Sequence, residues 1–208
     1  MTKLLCVLVV AAPLFCSSPS HAEAPSKIAG FGLGMNINQY QDLVRMDTAI
    51  PIRHMEYLTE VETAKIEGYK NGYISYGTCA QPGRIVKVKF KYEVPDKWFF
   101  DELLKRFEKK FVKPSEWKGD PFRTLIAWKW SFKDPQKNIV SMILQHYSGE
   151  DEEFTRGNSL RLTIMKFLEE ERQCYEKKFP EPPDTHEQPG KWRAEDKNRI
   201  DYSRFVPE

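Results

Sequence analysis

The chain lacks the usual marks of a catalyst. There is no Gly-x-Ser-x-Gly elbow, no His-x-x-x-His pair and no Cys/His cluster at metal-ligand spacing, so the common serine-hydrolase and zinc signatures are missing. Nothing in the pattern calls for a cofactor. Charge of one sign is not in excess. Lys and Arg total 32 against 30 Asp and Glu, a balance that gives no electrostatic reason to expect nucleic acid or an anionic membrane as partner. No Asn-x-Ser/Thr acceptor occurs, as suits a bacterial chain. Beyond one apolar run at the start, no stretch approaches spanning length, which predicts no transmembrane segment in the mature chain.

That first run is the most informative feature present. Met1-Thr2-Lys3 gives a positive start, Leu4 to Phe15 is apolar apart from Pro13, and Ser20-His21-Ala22 places small residues where a signal peptidase reads. Residues 1–22 therefore read as a signal peptide cleaved after Ala22, and the protein as periplasmic or secreted. Cys16 follows Phe15 where a lipid-anchor site needs a small residue, which argues against lipidation. Cys6 and Cys16 leave with the leader, so Cys79 and Cys174 remain as a pair in an oxidising compartment and predict one disulfide. Such a bridge closes a loop of about a hundred residues, worth about 4–5 kcal/mol in the chain-entropy model.

The folded domain is expected over residues 27–179, ended by Pro180-Glu181-Pro182-Pro183. Residues 180–208 read as a disordered, Pro-rich tail, polar and aperiodic. The tail carries Trp192, Tyr202 and Phe205 among its charges, candidate contacts for a partner. The clearest strand is 84–93, where Val86, Val88, Phe90 and Tyr92 alternate with Lys87, Lys89, Lys91 and Glu93. A strand at 72–77 precedes it. Asp96 opens a helix that runs to Pro114 with Phe100, Leu103, Leu104, Phe107 and Phe111 on one face. Alternation then predicts strands at 122–132, 139–147 and 160–165, and a last helix at 167–178. Towards the N-terminus the pattern predicts a short strand at 28–33, a helix at 36–46 and strands at 50–58 and 61–69. The whole reads as α+β, a mostly antiparallel sheet with about three helices packed on it and one disulfide.

Gly30-Phe31-Gly32-Leu33-Gly34-Met35 resembles the opening of small exported bacterial proteins that place a Gly-Met pair between a first strand and a first helix. Proteins of the outer-membrane assembly lipoprotein type, with a β-lactamase-inhibitor-like fold, are similar there. The resemblance implies a non-catalytic envelope protein that binds other macromolecules through its sheet.

The candidate contact surfaces are the Lys87, Lys89 and Lys91 stripe, suited to an acidic partner such as another envelope protein, and the tail. Trp128 and Trp130 share one strand face, read as the buried one because Arg123 and Lys129 lie opposite. Two alternatives stand beside this binding role. A periplasmic hydrolase or metal enzyme needs His54, Glu56 and His146 to converge. An inhibitor of an exported enzyme needs a protruding loop, for which residues 148–158 are the candidate. The acidic run 150–153 lacks the alternating ligand spacing of a calcium loop and reads as solvated.

Overall fold

The computed structural model describes residues 23–150 and 156–180. The expected leader, the acidic run from Asp151 and the tail residues Trp192, Tyr202 and Phe205 lie outside the described residues.

A two-residue hairpin comes first: β1, Lys27–Ile28, and β2, Phe31–Gly32, turning through Gly30 at φ 91°. A positive φ there suits glycine alone at no steric cost. A 3-10 helix, Ile37–Leu43, follows with the Asn36 side chain accepting from the Asn38 N–H at its start. Next come β3 (Val44–Ile52), β4 (Met55–Thr63), β5 (Tyr69–Gly77) and β6 (Ile85–Tyr92). After α1 (Lys97–Phe111) come β7 (Glu116–Trp117), β8 (Leu125–Lys133), β9 (Ile139–Tyr147) and β10 (Gly157–Ile164), and α2 (Met165–Lys178) closes the domain.

The fold is α+β. Eight strands form one antiparallel sheet in the order β3-β4-β5-β6-β10-β9-β8-β7. Each half is a meander of four strands, and the last strands of the halves, β6 and β10, pair at the centre. Both outer strands are poor edges. The β3–β4 pairing is interrupted by two register shifts and β3 carries Pro51, while β7 is two residues long.

One sheet face is apolar. Val88 and Phe90 on β6, Leu160 and Leu162 on β10, and Met142 and Leu144 on β9 are buried in the main core. The amphipathic helix α1 lays Phe100, Leu103, Leu104, Phe107 and Phe111 on that face, in edge-on ring contact with Trp130 and Phe132. The N-terminal hairpin joins it through Phe31, whose ring meets Phe90. Trp130 is buried, as its opposition to Lys129 predicts, and Trp128 is half-buried against Trp117.

Helix α2 packs at the end of the sheet where β4 begins and β5 and β10 finish. Cys79 and Cys174 form the disulfide, with Cα atoms 5.8 Å apart. Beside it the fully buried Glu171 carboxylate accepts from the N–H groups of Cys79, Ala80 and Gln81 at 2.8, 2.9 and 2.8 Å. The β5–β6 loop and the last helix are thus joined by one covalent bond and three charge-assisted hydrogen bonds.

Several expectations move. The helix expected over 36–46 is a shorter 3-10 turn, because β-branched Val44 pairs with Thr63 and continues as strand to Ile52. The strand expected at 50–58 spans the turn at Arg53-His54, where His54 takes φ 61°. Asp96 occupies the N-cap of α1 without a side-chain cap bond. Phe122, expected to alternate inward, is exposed, because residues 121–124 form a turn around the Asp120 carboxylate, which accepts from the N–H groups of Phe122, Thr124 and Leu125.

Candidate ligand-binding face

The other sheet face is polar, and its centre is cationic. On β6 the side chains of Lys87, Lys89 and Lys91 alternate with the core residues Val88 and Phe90, so all three lie on this face. Their neighbours follow from register. Arg161 on β10 stands opposite Lys89, with Thr163 opposite Lys87 and Ser159 opposite Lys91. On the other side, β5 brings Tyr73 opposite Lys89, Ser75 opposite Lys87 and Asn71 opposite Lys91.

One row of this face crosses all eight strands. It reads Glu116, Lys129, Ile143, Arg161, Lys89, Tyr73, Glu62, Arg45. Its ends are closed by ion pairs. Lys129 Nζ lies 3.1 Å from Glu116, and Arg45 pairs with Glu62. Its middle is not. Among the described residues no carboxylate pairs with Lys89, Lys91 or Arg161. Lys87 alone of the four has a partner, Glu60, at 3.4 Å, and that carboxylate also accepts from the Ser75 hydroxyl at 2.9 Å.

Burial holds the Lys87, Lys89 and Lys91 ammonium groups below the ordinary lysine pKa. At Lys87 and Lys89, Glu60 pulls the other way, while Arg161 adds to the lowering at both and Lys70 does so at Lys91. Crowding by neighbouring side chains lowers Arg161 as well, although the residue itself is exposed. Like charges placed directly across a strand pair are unfavourable. Here the nearby carboxylate, Glu60, is paired with Lys87 and acts on Lys89 only at longer range. Asn71 adds a polar atom of the other kind. Its amide donates to the Tyr73 hydroxyl at 2.9 Å, and its Oδ1 is buried with no hydrogen-bond partner. Among the described residues this face holds three cations without a carboxylate partner, and the buried Asn71 Oδ1 beside them has no donor.

The stripe differs in one respect from its sequence reading as a solvated surface. Lys91 is 6 % exposed, and Lys87 and Lys89 are half-buried. A strand read by itself does not show that it will be central, flanked on both sides by long side chains. Arg161 carried no signal beyond its alternation with Leu160 and Leu162, because its place opposite Lys89 depends on a pairing between distant segments.

The histidines do not come together. His54 sits exposed in the β3–β4 turn beside exposed Glu56. His146 lies near the far end of β9, with β5, β6 and β10 between them. A joint acid–base or metal site of His54, Glu56 and His146 is therefore not formed. His146 is instead a buried strut. Its Nδ1 donates to Asn158 Oδ1 at 2.7 Å, the direction required by the amide orientation, since Asn158 Nδ2 donates to the carbonyls of Val94 and Asp96 at 2.8 and 2.9 Å. The strut ties β9 and β10 to the entry of α1. Among the described residues, no three His, Cys, Asp or Glu side chains are grouped to hold a metal, and no helix is long and apolar enough to cross a membrane.

The domain is α+β with one antiparallel sheet, cationic at the centre of its polar face, where no described carboxylate pairs with Lys89, Lys91 or Arg161. No protein-family model, curated protein or solved structure matches the chain.

Proposed function

We propose that this is an exported, non-catalytic binding or assembly protein of the bacterial envelope that takes an acidic partner on the polar face of its sheet. The observation that carries the reading is the Lys89–Arg161 juxtaposition. Both ends of the same row are neutralised within the fold, while the centre keeps its positive charge. A cationic centre suits carboxylates presented by a polypeptide. The Cys79–Cys174 bridge fits an oxidising compartment, the leader supplies the route there, and the Gly-Met resemblance implies the same non-catalytic role.

Isothermal titration with poly-L-glutamate tests the binding half. Saturable binding at low salt is expected, weakening as salt rises. The double substitution Lys89→Glu/Arg161→Glu should reduce affinity at least about tenfold. An unchanged affinity in that variant refutes the reading. Intact-mass measurement of unreduced protein from fractionated cells tests the export half. A mass lacking residues 1–22 with both thiols bonded is expected, and a retained leader contradicts it.

A further inference from the structure

A second site lies on the opposite, apolar face of the sheet. There a cavity of about 520 Å³ opens between residues 23–29 and the last turns of α1, a volume within the range of small-molecule sites. Met142, Leu160 and Leu162 form its floor, all at most 7 % exposed. Phe107 and Phe111 of α1 supply one wall. An apolar chain entering here meets the same side chains that build the core.

The polar groups gather on the remaining walls. Tyr69 and Tyr92 both line the cavity, their rings stacked with centroids 5.3 Å apart. Neither hydroxyl is bonded to a described residue and neither is buried away from solvent, so both are open to a bound molecule. Burial raises the pKa of both phenols, so they are neutral donors at physiological pH. Lys27 and Lys110, both exposed, add two ammonium groups, against one carboxylate from Glu23. The balance at the opening is positive.

We infer that this cavity binds an amphiphile with a single apolar chain and an anionic headgroup, the chain lying over Met142, Leu160 and Leu162 and the head meeting the Tyr69 and Tyr92 hydroxyls and the Lys110 ammonium. The site is independent of the lysine face, and each stands or falls without the other.

The test is isothermal titration of the purified protein with dodecanoate below its micelle concentration. One-to-one saturable binding is expected, with dodecyltrimethylammonium, of equal chain length and opposite charge, binding at least about tenfold more weakly. Lys110→Glu, a surface change that leaves the core intact, should weaken dodecanoate about two- to fivefold, the range of one exposed charge pair. Tyr69→Phe/Tyr92→Phe should weaken it further. Leu162→Trp, which fills the floor, should abolish it, with circular dichroism checking that this variant folds. Absence of saturable heat, equal affinity for the cationic detergent, or undiminished binding in both Lys110→Glu and the double Phe variant overturns the assignment.

Discussion

Lys89 and Arg161 are cross-strand partners at the centre of an eight-stranded sheet, two cations in register with no carboxylate paired to either among the described residues. Their separation in sequence is large, and they meet because the last strands of two meanders pair. A fold selected for stability alone gains nothing from that arrangement. The pair is therefore expected to oppose folding slightly in the absence of a partner. Lys89→Gln or Arg161→Gln should raise unfolding free energy by about 0.2–1 kcal/mol, the usual scale of a cross-strand pair, while weakening poly-L-glutamate binding. Urea melts of both single variants check the first part, and destabilisation in both contradicts it.

The same lysines give a signed pH dependence. Their folded pKa values lie below the ordinary 10.5, so between the two values the unfolded chain binds more protons and stability rises with pH. The tyrosines act in the opposite sense. Burial raises Tyr57, Tyr69, Tyr76 and Tyr92 above 10.0, so stability falls once unfolded phenols ionise. A stability maximum on the alkaline side is expected. In Lys89→Gln/Lys91→Gln the rise below 10.5 should flatten while the later fall remains. Chemical denaturation across this range at constant ionic strength measures both limbs.

Glu171 is the most exacting single position for stability. Its buried carboxylate satisfies three consecutive backbone donors and lies 3.7 Å from the Arg84 guanidinium. Glu171→Ala should cost about 3–5 kcal/mol, because it strands three buried backbone donors, while Arg84 keeps its closer partner Glu170 at 2.7 Å. Glu171→Gln keeps the shape and one acceptor and should cost less, about 1.5–3 kcal/mol. Equilibrium unfolding without reductant isolates the effect from the disulfide. Equal costs for the two variants would mean that the carboxylate charge, not side-chain volume, sets the loop.

Asn158 offers a local test. Its side chain holds His146 and caps the carbonyls of Val94 and Asp96. Asn158→Ala should destabilise the domain by about 2–3 kcal/mol, since buried polar groups lose their partners. Amide exchange should quicken first in the opening turn of α1. Protection unchanged over residues 97–101 would show that the helix entry is held by Phe100 packing alone.

Much of this architecture was readable in the chain. Strands β6 and β9 follow from strict alternation, α1 from its aromatic stripe and Pro114, and the disulfide from two cysteines beyond a leader. The N-terminal third was harder for a physical reason. Residues 36–46 carry helical spacing, yet the length from Ile37 suffices only for a 3-10 turn before Val44 enters the sheet, so tertiary pairing overrides local propensity. The candidate site was half legible. Alternation placed the three lysines on one face, but the partnering of β6 with β10 is a property of topology, and with it came Arg161, the burial of Lys91 and the separation of His54 from His146. Of the cavity walls, Phe107 and Phe111 belong to the periodic stripe of α1, whereas residues 23–29 carry no periodic signal and meet them only through the fold.

The outer strands have a consequence for how copies of this molecule behave when crowded. A border that is kinked by Pro51 on one side and two residues long on the other gives a neighbouring backbone no straight template to extend. Fibre-like stacking is thereby discouraged in a domain built on one eight-stranded sheet. Recognition is left to side chains, where charge and shape discriminate among partners and the peptide backbone, alike in every protein, does not.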